Sequence, residues 1–360
     1  MMKVIHALDY GSIQNLQLVD NVPTPKDIPK GKILIKTHSV SLAPGDVRIL
    51  SGKTREIQGP PSLPYIPGGD CSGSIVDMGT ELPEDLGYDV GDRVAARFVD
   101  GPGGALAEYA LISTAMCDKV PDEVSSAEAA ALASSATIAL SLSKRIGENE
   151  RVLVLGAGGG VGSHLCQLLR LRNVSFIAGV SSNPERLMKE LRCDQAIDYN
   201  KQDPLTVEEW KHHPFDVIID LASGSWTKLM ALKDNGEKLV IKSSSEGGRF
   251  LTTSLDEPWY EIHSILPVLK KFLFVPLYRA FYSRAFWNRS KMPAFTFAFS
   301  LNNDKEIMRE TMKLAKDGLL KACIDDKGPF AFTAKDVRNA FELQESRHAK
   351  GKVVIDISEK

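Results

Sequence analysis

At 360 residues the chain is long enough for two domains with substantial cores, and its 44 basic and 46 acidic side chains leave a formal net charge of −2. That balance exerts no overall pull on nucleic acid, so any basic surface must be local. No run of apolar residues is long enough to span a membrane and the N-terminus enters a strand pattern at once, so a soluble, cytoplasmic protein without a signal peptide is expected.

In chain order, the first part reads as mostly β. Val4–Ala7, Lys32–Lys36, Gly73–Asp77 and Arg93–Ala96 are short apolar or alternating runs divided by Pro- and Gly-rich turns, with little helical periodicity up to about residue 125. The pattern then changes. Val152–Leu155 runs straight into Gly156-Ala157-Gly158-Gly159-Gly160-Val161-Gly162, after which Val161, Leu165, Leu168, Leu169 and Leu171 recur at helical spacing and Val174–Val180 supplies a second β run. Strand, glycine turn, helix and strand form one βαβ unit. Such a turn lets the backbone approach a pyrophosphate closely, and the helix that starts there aims unpaired N–H groups and a partial positive charge at it. Gly159, Gly160, Val161 and Gly162 are therefore the expected phosphate contacts. Asp216–Leu221 and Lys238–Lys242 read as further strands separated by helix-compatible segments, as in a doubly wound parallel sheet of Rossmann type. Lys305–Lys316 reads as an amphipathic helix, and Lys352–Ile357 as a last strand that returns to the first domain.

The end of the second Rossmann strand bears on the cofactor. A site for NAD places Asp or Glu about 20 residues beyond the glycines to hold the ribose hydroxyls. Here the chain has Ser181-Ser182-Asn183 followed by Arg186. Two hydroxyls, an amide and a guanidinium suit a 2′-phosphate, which points to NADPH. The five cysteines (71, 117, 166, 193 and 323) are scattered and never form a Cys-x-x-Cys pair, as suits reduced, buried thiols. The seven histidines show no ligand spacing.

Further pieces follow one another in an order that resembles the zinc-free, quinone oxidoreductase-like (zeta-crystallin-like) branch of the medium-chain dehydrogenases/reductases. They are Val40-Ser-Leu-Ala-Pro-Gly-Asp46, Leu63-Pro-Tyr-Ile-Pro-Gly-Gly-Asp70, Val90-Gly-Asp-Arg-Val94 and Gly104-Ala-Leu-Ala-Glu-Tyr109. Glu128-Ala-Ala-Ala-Leu132 with Thr137, the glycine turn, Ala196-Ile-Asp-Tyr199 and Lys350-Gly-Lys-Val-Val-Ile355 complete the series. The resemblance implies an α/β protein with a GroES-like, mostly β catalytic domain (1–125 and 301–360), a Rossmann NADP-binding domain (126–300), and an active cleft where they meet. It implies that Thr137 and Tyr199 cover the remaining cofactor surface, that Asp46 and Arg48 belong to the substrate pocket, and that the chain forms a homodimer. Where zinc-dependent relatives carry a cysteine ligand and Gly-His-Glu, this chain has Gly45-Asp46 and Gly68-Gly69-Asp70, and no cysteine cluster lies near residues 85–115, so no metal site is expected. Without a Lewis acid for alcohol oxidation, hydride addition to a quinone or an α,β-unsaturated carbonyl compound is the expected reaction. Ala43 stands where the branch has an Asn over the nicotinamide, Arg48 where one tyrosine stands, and Thr54 near the place of another. The alternative is an NADPH-binding protein with a structural, regulatory or membrane-peripheral role and little turnover.

Residues 259–299 hold 12 of the chain's 26 aromatic residues, among them Tyr278, Phe281, Tyr282 and Phe286, which with Ala285 fall on one side of a helix. Lys270, Lys271, Arg279, Arg284, Arg289 and Lys291 accompany them without an acidic residue between 270 and 291. This insertion, about 259–292, is expected either to pack on the core or to border the active cleft and favour long apolar acceptors, with reversible membrane contact as an addition.

Overall fold

The computed structural model describes residues 1–55, 62–83, 87–97, 104–262, 264–285, 291–298 and 305–358. The chain divides into two compact units, Met1–Ile138 with Asn303–Lys360, and Ala139–Asn302.

The first unit is built on antiparallel strands. β1 (Met2–Ala7) pairs with β2 (Leu16–Val22). The long β3 (Lys32–Leu42) lies between β4 (Asp70–Met78) and the C-terminal strand Val353–Asp356, and beyond β4 come β5 (Arg93–Ala96) and β7 (Cys117–Lys119), while β6 (Tyr109–Ser113) pairs with another stretch of β3. Ile33, Ile35, Val40 and Leu42 of β3 are fully buried, as are Val353–Ile355, so burial of apolar side chains draws the C-terminal strand back onto the N-terminal sheet. The Lys305–Lys316 helix forms where its periodicity predicts and buries Ile307, Met308 and Met312.

The second unit is a parallel six-stranded sheet. Its strands are β8 (Arg151–Leu155), β9 (Phe176–Val180), β10 (Gln195–Ile197), β11 (Val217–Asp220), β12 (Arg249–Thr252) and β13 (Ala294–Phe297), in the spatial order β10-β9-β8-β11-β12-β13. This is the doubly wound Rossmann order, in which the direction of winding reverses between β8 and β11. Val152–Leu155 and Val217–Asp220 are buried without alternation, as central parallel strands with both faces covered require. Trp226 wedges edge-on between Phe250 and Phe295, with ring centroids 5.3 and 4.8 Å away. Lys238–Lys242 corrects the strand expected there. It forms only an isolated bridge, Phe215 with Ile241, and the next sheet strand is Arg249–Thr252, because hydrogen bonds from Phe215 to Val240 and from Lys242 to Phe215 hold the segment just before β11 begins.

The aromatic insertion is helical from Ile265 to Arg284, with a π segment at Lys270–Phe274. One side of it faces the Rossmann unit. Phe272 meets Tyr260 and Phe297 edge-on, Ser283 Oγ accepts the Phe295 N–H at 3.0 Å, and Lys233 Nζ donates to the Tyr282 hydroxyl at 3.0 Å. The single-sided stripe expected from the sequence is thereby split: Tyr282 and Ala285 turn inward, while Tyr278 and Phe281 stay exposed. Phe286, Trp287, Arg289 and Phe299 lie outside the described residues.

Candidate nucleotide-binding site

The site begins at the C-terminal end of β8. Gly156 has a φ of +81°, a conformation that costs glycine little and L side chains much, and it turns the chain out of the strand. Ala157 N–H is fixed to Val180 O at 3.0 Å, which ties the turn to β9. The Gly160–Leu171 helix then starts on Gly159, which offers no side-chain cap. The N–H groups of Gly160, Val161 and Gly162 belong to its first turn and have no partner within the helix, so they present a concave set of donors at the positive end of the helix dipole. Two further glycines are required by contact. A Cβ on Gly162 would strike Gly156 O and come within 2.7 Å of Ala157 Cα, and one on Gly158 would strike Ser181 Oγ. A Cβ on Gly159 meets nothing closer than 3.6 Å. The loop is thus shaped to bring helix and strand together and leave a backbone cradle open, which fits a dinucleotide pyrophosphate.

The end of β9 supplies the second part. Ser181 N–H donates to Ile197 O at 3.1 Å, joining the ends of β9 and β10, and Ser181 Oγ accepts the Asn183 N–H at 3.1 Å. Asn183 caps the following short helix through the Arg186 N–H at 3.2 Å. Ser182 is exposed. Arg186 is largely buried; its Nε donates to Glu190 at 3.0 Å, while Nη1 is buried without a hydrogen-bond partner. Glu185 faces Lys189 at 2.5 Å instead of Arg186. Tyr199, two residues beyond β10, is 45% exposed. Gly156–Gly162, Ser181–Arg186 and Tyr199 are accordingly gathered at one end of the sheet, at and beside the switch point.

One component of this end was not singled out from the sequence. Asp220, at the C-terminal end of β11 beside the glycine loop, is buried and accepts the N–H groups of Ala222 at 2.9 Å, Ser223 at 3.1 Å and Ser225 at 3.2 Å. Burial pushes its carboxyl above the ordinary range, and those donors partly offset the shift. Ser223 and Gly224, at φ of 82° and 83°, fold around it, and Thr252 Oγ1 donates to its carbonyl at 3.0 Å. The signal available in the sequence was Asp220-Leu-Ala-Ser-Gly224, a carboxylate placed to collect the N–H groups of its own turn.

The remaining expected residues lie in the first unit. Asp46 Oδ2 accepts Ala43 N–H at 2.8 Å and Oδ1 accepts Gly69 N–H at 3.2 Å, so the carboxylate ties the start of the Pro44–Leu50 helix to the Gly68–Gly69 turn. Burial raises its carboxyl above the usual range, against the pull of those N–H groups and of Lys352. Buried Lys352 donates to Leu42 O at 2.7 Å and lies 3.5 Å from Asp70. Arg48 is half-buried on the same helix. Thr137 is buried, with Oγ1 near Ala133 O and Ser134 O at 2.9 and 2.7 Å and Arg97 Nη1 at 3.3 Å. Tyr65 is buried 6.2 Å ring to ring from Tyr10, with a hydroxyl that has no hydrogen-bond partner; burial, then Asp46, pushes that phenol upward.

These features coincide with what the chain is similar to. Residues 29–122 match the family model of the alcohol dehydrogenase GroES-like domain, and residues 191–355 that of a zinc-binding dehydrogenase. Over 98% of its length the chain is 31% identical to a 2-methylene-furan-3-one reductase of Solanum lycopersicum, covering 79% of that protein. It is 28% identical to an NADPH-dependent alkenal/one oxidoreductase, chloroplastic, of Arabidopsis thaliana, over 96% of this chain and 77% of that one. The fold matches Escherichia coli quinone oxidoreductase complexed with NADPH at a TM-score of 0.73 and 20% identity, over 99% of this chain and 100% of that chain. The chain belongs to the medium-chain dehydrogenase/reductase family, in its quinone oxidoreductase-like branch. Despite the name of the second model, no group of three or more His, Cys, Asp or Glu converges to hold a metal among the described residues. Nor, among them, is any helix long and apolar enough to cross a membrane.

Proposed function

We propose that this chain is an NADPH-dependent reductase that adds hydride to the electrophilic carbon of an α,β-unsaturated carbonyl compound or a quinone. The observation that carries the reading is a dinucleotide cradle whose second strand ends in Ser181-Ser182-Asn183 and Arg186 in place of a carboxylate, in a chain similar along nearly its whole length to an NADPH-dependent alkenal/one oxidoreductase. When bound, the cofactor supplies the hydride. The N–H groups of Gly160, Val161 and Gly162, beside Gly159, hold its pyrophosphate. Ser181, Ser182 and Arg186 take the 2′-phosphate, and Tyr199 and Thr137 cover the rest of its surface. Asp46 sets the backbone of the Ala43–Arg48 segment, from which Arg48 reaches the substrate carbonyl, and solvent protonates the product. The domain assignment (1–125 with 301–360, and 126–300) and a homodimer, both implied by the family, belong to the same reading, whereas membrane contact through 259–292 stands apart from it.

The test is turnover of NADPH and NADH with a panel of enals, enones and quinones. Oxidation of NADPH by at least one class, with NADH much poorer, is expected. Tight NADPH binding with no acceptor reduced would transfer the chain to a binding or regulatory role.

A further inference from the structure

The Ile265–Arg284 helical stretch has a second side. Ile265, Leu266, Leu269, Leu273, Phe274, Leu277, Tyr278 and Phe281 are 36 to 72% exposed. At roughly 200 Å² for a full side chain of this kind, the exposed fractions reach on the order of 1,000 Å², beyond the few hundred Å² of contiguous apolar surface that a soluble monomer usually carries. Ile265, Leu269, Leu273, Leu277 and Phe281 form an i, i+4 row. Such a row drifts by about 40° per step around a regular helix, and the wider π turn at Lys270–Phe274 takes back part of that drift, keeping the row on one side. The stretch runs for about 30 Å.

The charges are arranged as sharply as the apolar groups. Between Ser264 and Ala285 there are four basic residues and no acidic one. Arg279 and Lys271 turn inward to Asp256, at 2.5 Å, and Glu257, at 3.2 Å, and so fasten the helix to its own unit. Lys270 is exposed beside Leu269, and Arg284, at the C-terminal end of the row, is exposed while its Nη1 also donates to Phe295 O at 2.8 Å and Ala280 O at 3.1 Å. A second copy of the chain laid on this face would bring Lys270 and Arg284 of both copies together with no carboxylate on the stretch to neutralise them. A surface of anionic lipid headgroups over acyl chains complements both parts: the row enters the headgroup–acyl boundary and the two cations stay at the phosphates.

We infer that the exposed row Ile265–Phe281 is a membrane-docking face that seats this chain on an anionic bilayer, and that the opposite, inward row is what holds it to the Rossmann unit. Lipophilic enones and quinones concentrate at that boundary. Delivery of such acceptors to the chain rests on the reductase reading, whereas binding to vesicles does not.

The experiment is flotation of the purified full-length chain with vesicles of phosphatidylcholine alone or with phosphatidylserine added, alongside its mass in solution. Expected is binding to the anionic vesicles at low salt, weakened by salt. The triple variant Leu273→Gln/Leu277→Gln/Phe281→Gln, which keeps helix propensity, should lower partitioning by about 100-fold at unchanged thermal midpoint and solution mass. Lys270→Glu, a single exposed charge reversal, should weaken binding to the anionic vesicles alone. Absence of binding to either vesicle at low salt, a folded triple variant that binds like the parent, or a triple variant that splits a dimer into monomers would overturn the assignment, the last by giving the face to a second copy. Binding that persists in a chain inert toward every acceptor would leave the docking face standing and remove the reductase.

Discussion

Arg186 is a residue whose worth depends on what it faces. On its own helix it makes an i, i+4 pair with Glu190, a class of contact worth only about 0.3–0.5 kcal/mol when exposed. Against a phosphate the same guanidinium is worth roughly 1.5–3 kcal/mol. Arg186→Ala should therefore weaken NADPH by about 10- to 100-fold and leave NADH nearly unchanged, as titration calorimetry with both cofactors would register. Equal losses for the two cofactors would remove the 2′-phosphate role. Tyr65 is the opposite case. Its phenol, pushed up by burial, is a poor proton donor, and its hydroxyl is buried without a partner. An unsatisfied buried donor costs about 1–3 kcal/mol, so Tyr65→Phe should hold or raise the thermal midpoint and leave kcat unchanged. A large drop in kcat would make Tyr65 the acid.

At the scale of elements, the start of the Gly160–Leu171 helix is held by close backbone contact. Gly162→Ala places a methyl against Gly156 O and Ala157 Cα, neither of which can swing away, and should cost about 1–3 kcal/mol together with NADPH affinity. Gly159→Ala, with φ of −81° and only an ordinary 3.6 Å contact from its Cβ to Gly156 O, should fold like the parent. Thermal denaturation of the pair separates contact from composition. A second joint sits at the other end of the sheet. Asp216 accepts Arg151 N–H at 2.8 Å and Lys242 Nζ at 2.6 Å. Burial works to raise its carboxyl, but these donors prevail and hold it below the ordinary carboxylate range. A depressed folded-state pKa stabilises fully above the unfolded value, near pH 4, and that contribution is lost as pH falls through the folded one. The thermal midpoint should thus decline below about pH 4, and less steeply in Asp216→Asn, whose midpoint at neutral pH is lower. Identical slopes in both proteins would assign the acid sensitivity elsewhere.

For the whole molecule the question is metal. A catalytic zinc needs three converging protein ligands, and the segments where zinc-dependent relatives place theirs are occupied by Asp46, Gly69 and Asp70. Asp46 is engaged with backbone N–H groups, and Asp70 with Lys352. Both carboxylates are thus committed to fastening the first unit. The purified chain should carry far less than one zinc per molecule by elemental analysis, and chelator treatment should leave turnover intact; one tightly held zinc whose removal abolishes activity would contradict this.

The local patterns were legible because they obey short-range rules. The glycine run after Val152–Leu155, the helical spacing of Leu165, Leu168 and Leu169, the polar end of β9 and the amphipathic Lys305–Lys316 are each dictated by neighbours within a few residues, and the order of the motifs carried the family. What depends on distant partners was not legible. Lys238–Lys242 has a strand's composition but pairs with Phe215 outside the sheet, and Asp220, whose carboxylate organises its own turn, is brought beside the glycine loop only because β11 lies beside β8. The aromatic stripe shows the difference most plainly. Composition and periodicity pointed to a helix from about Leu277 in a segment rich in aromatic and basic groups, whereas only the tertiary structure carried the helix back to Ile265 and decided that Phe272 and Tyr282 are spent on the Rossmann unit and that Leu273, Leu277 and Phe281 are left for an outside surface. Which side of an amphipathic helix turns inward is set by the partners Tyr260, Phe297 and Lys233, and their spatial proximity is a property of the folded chain.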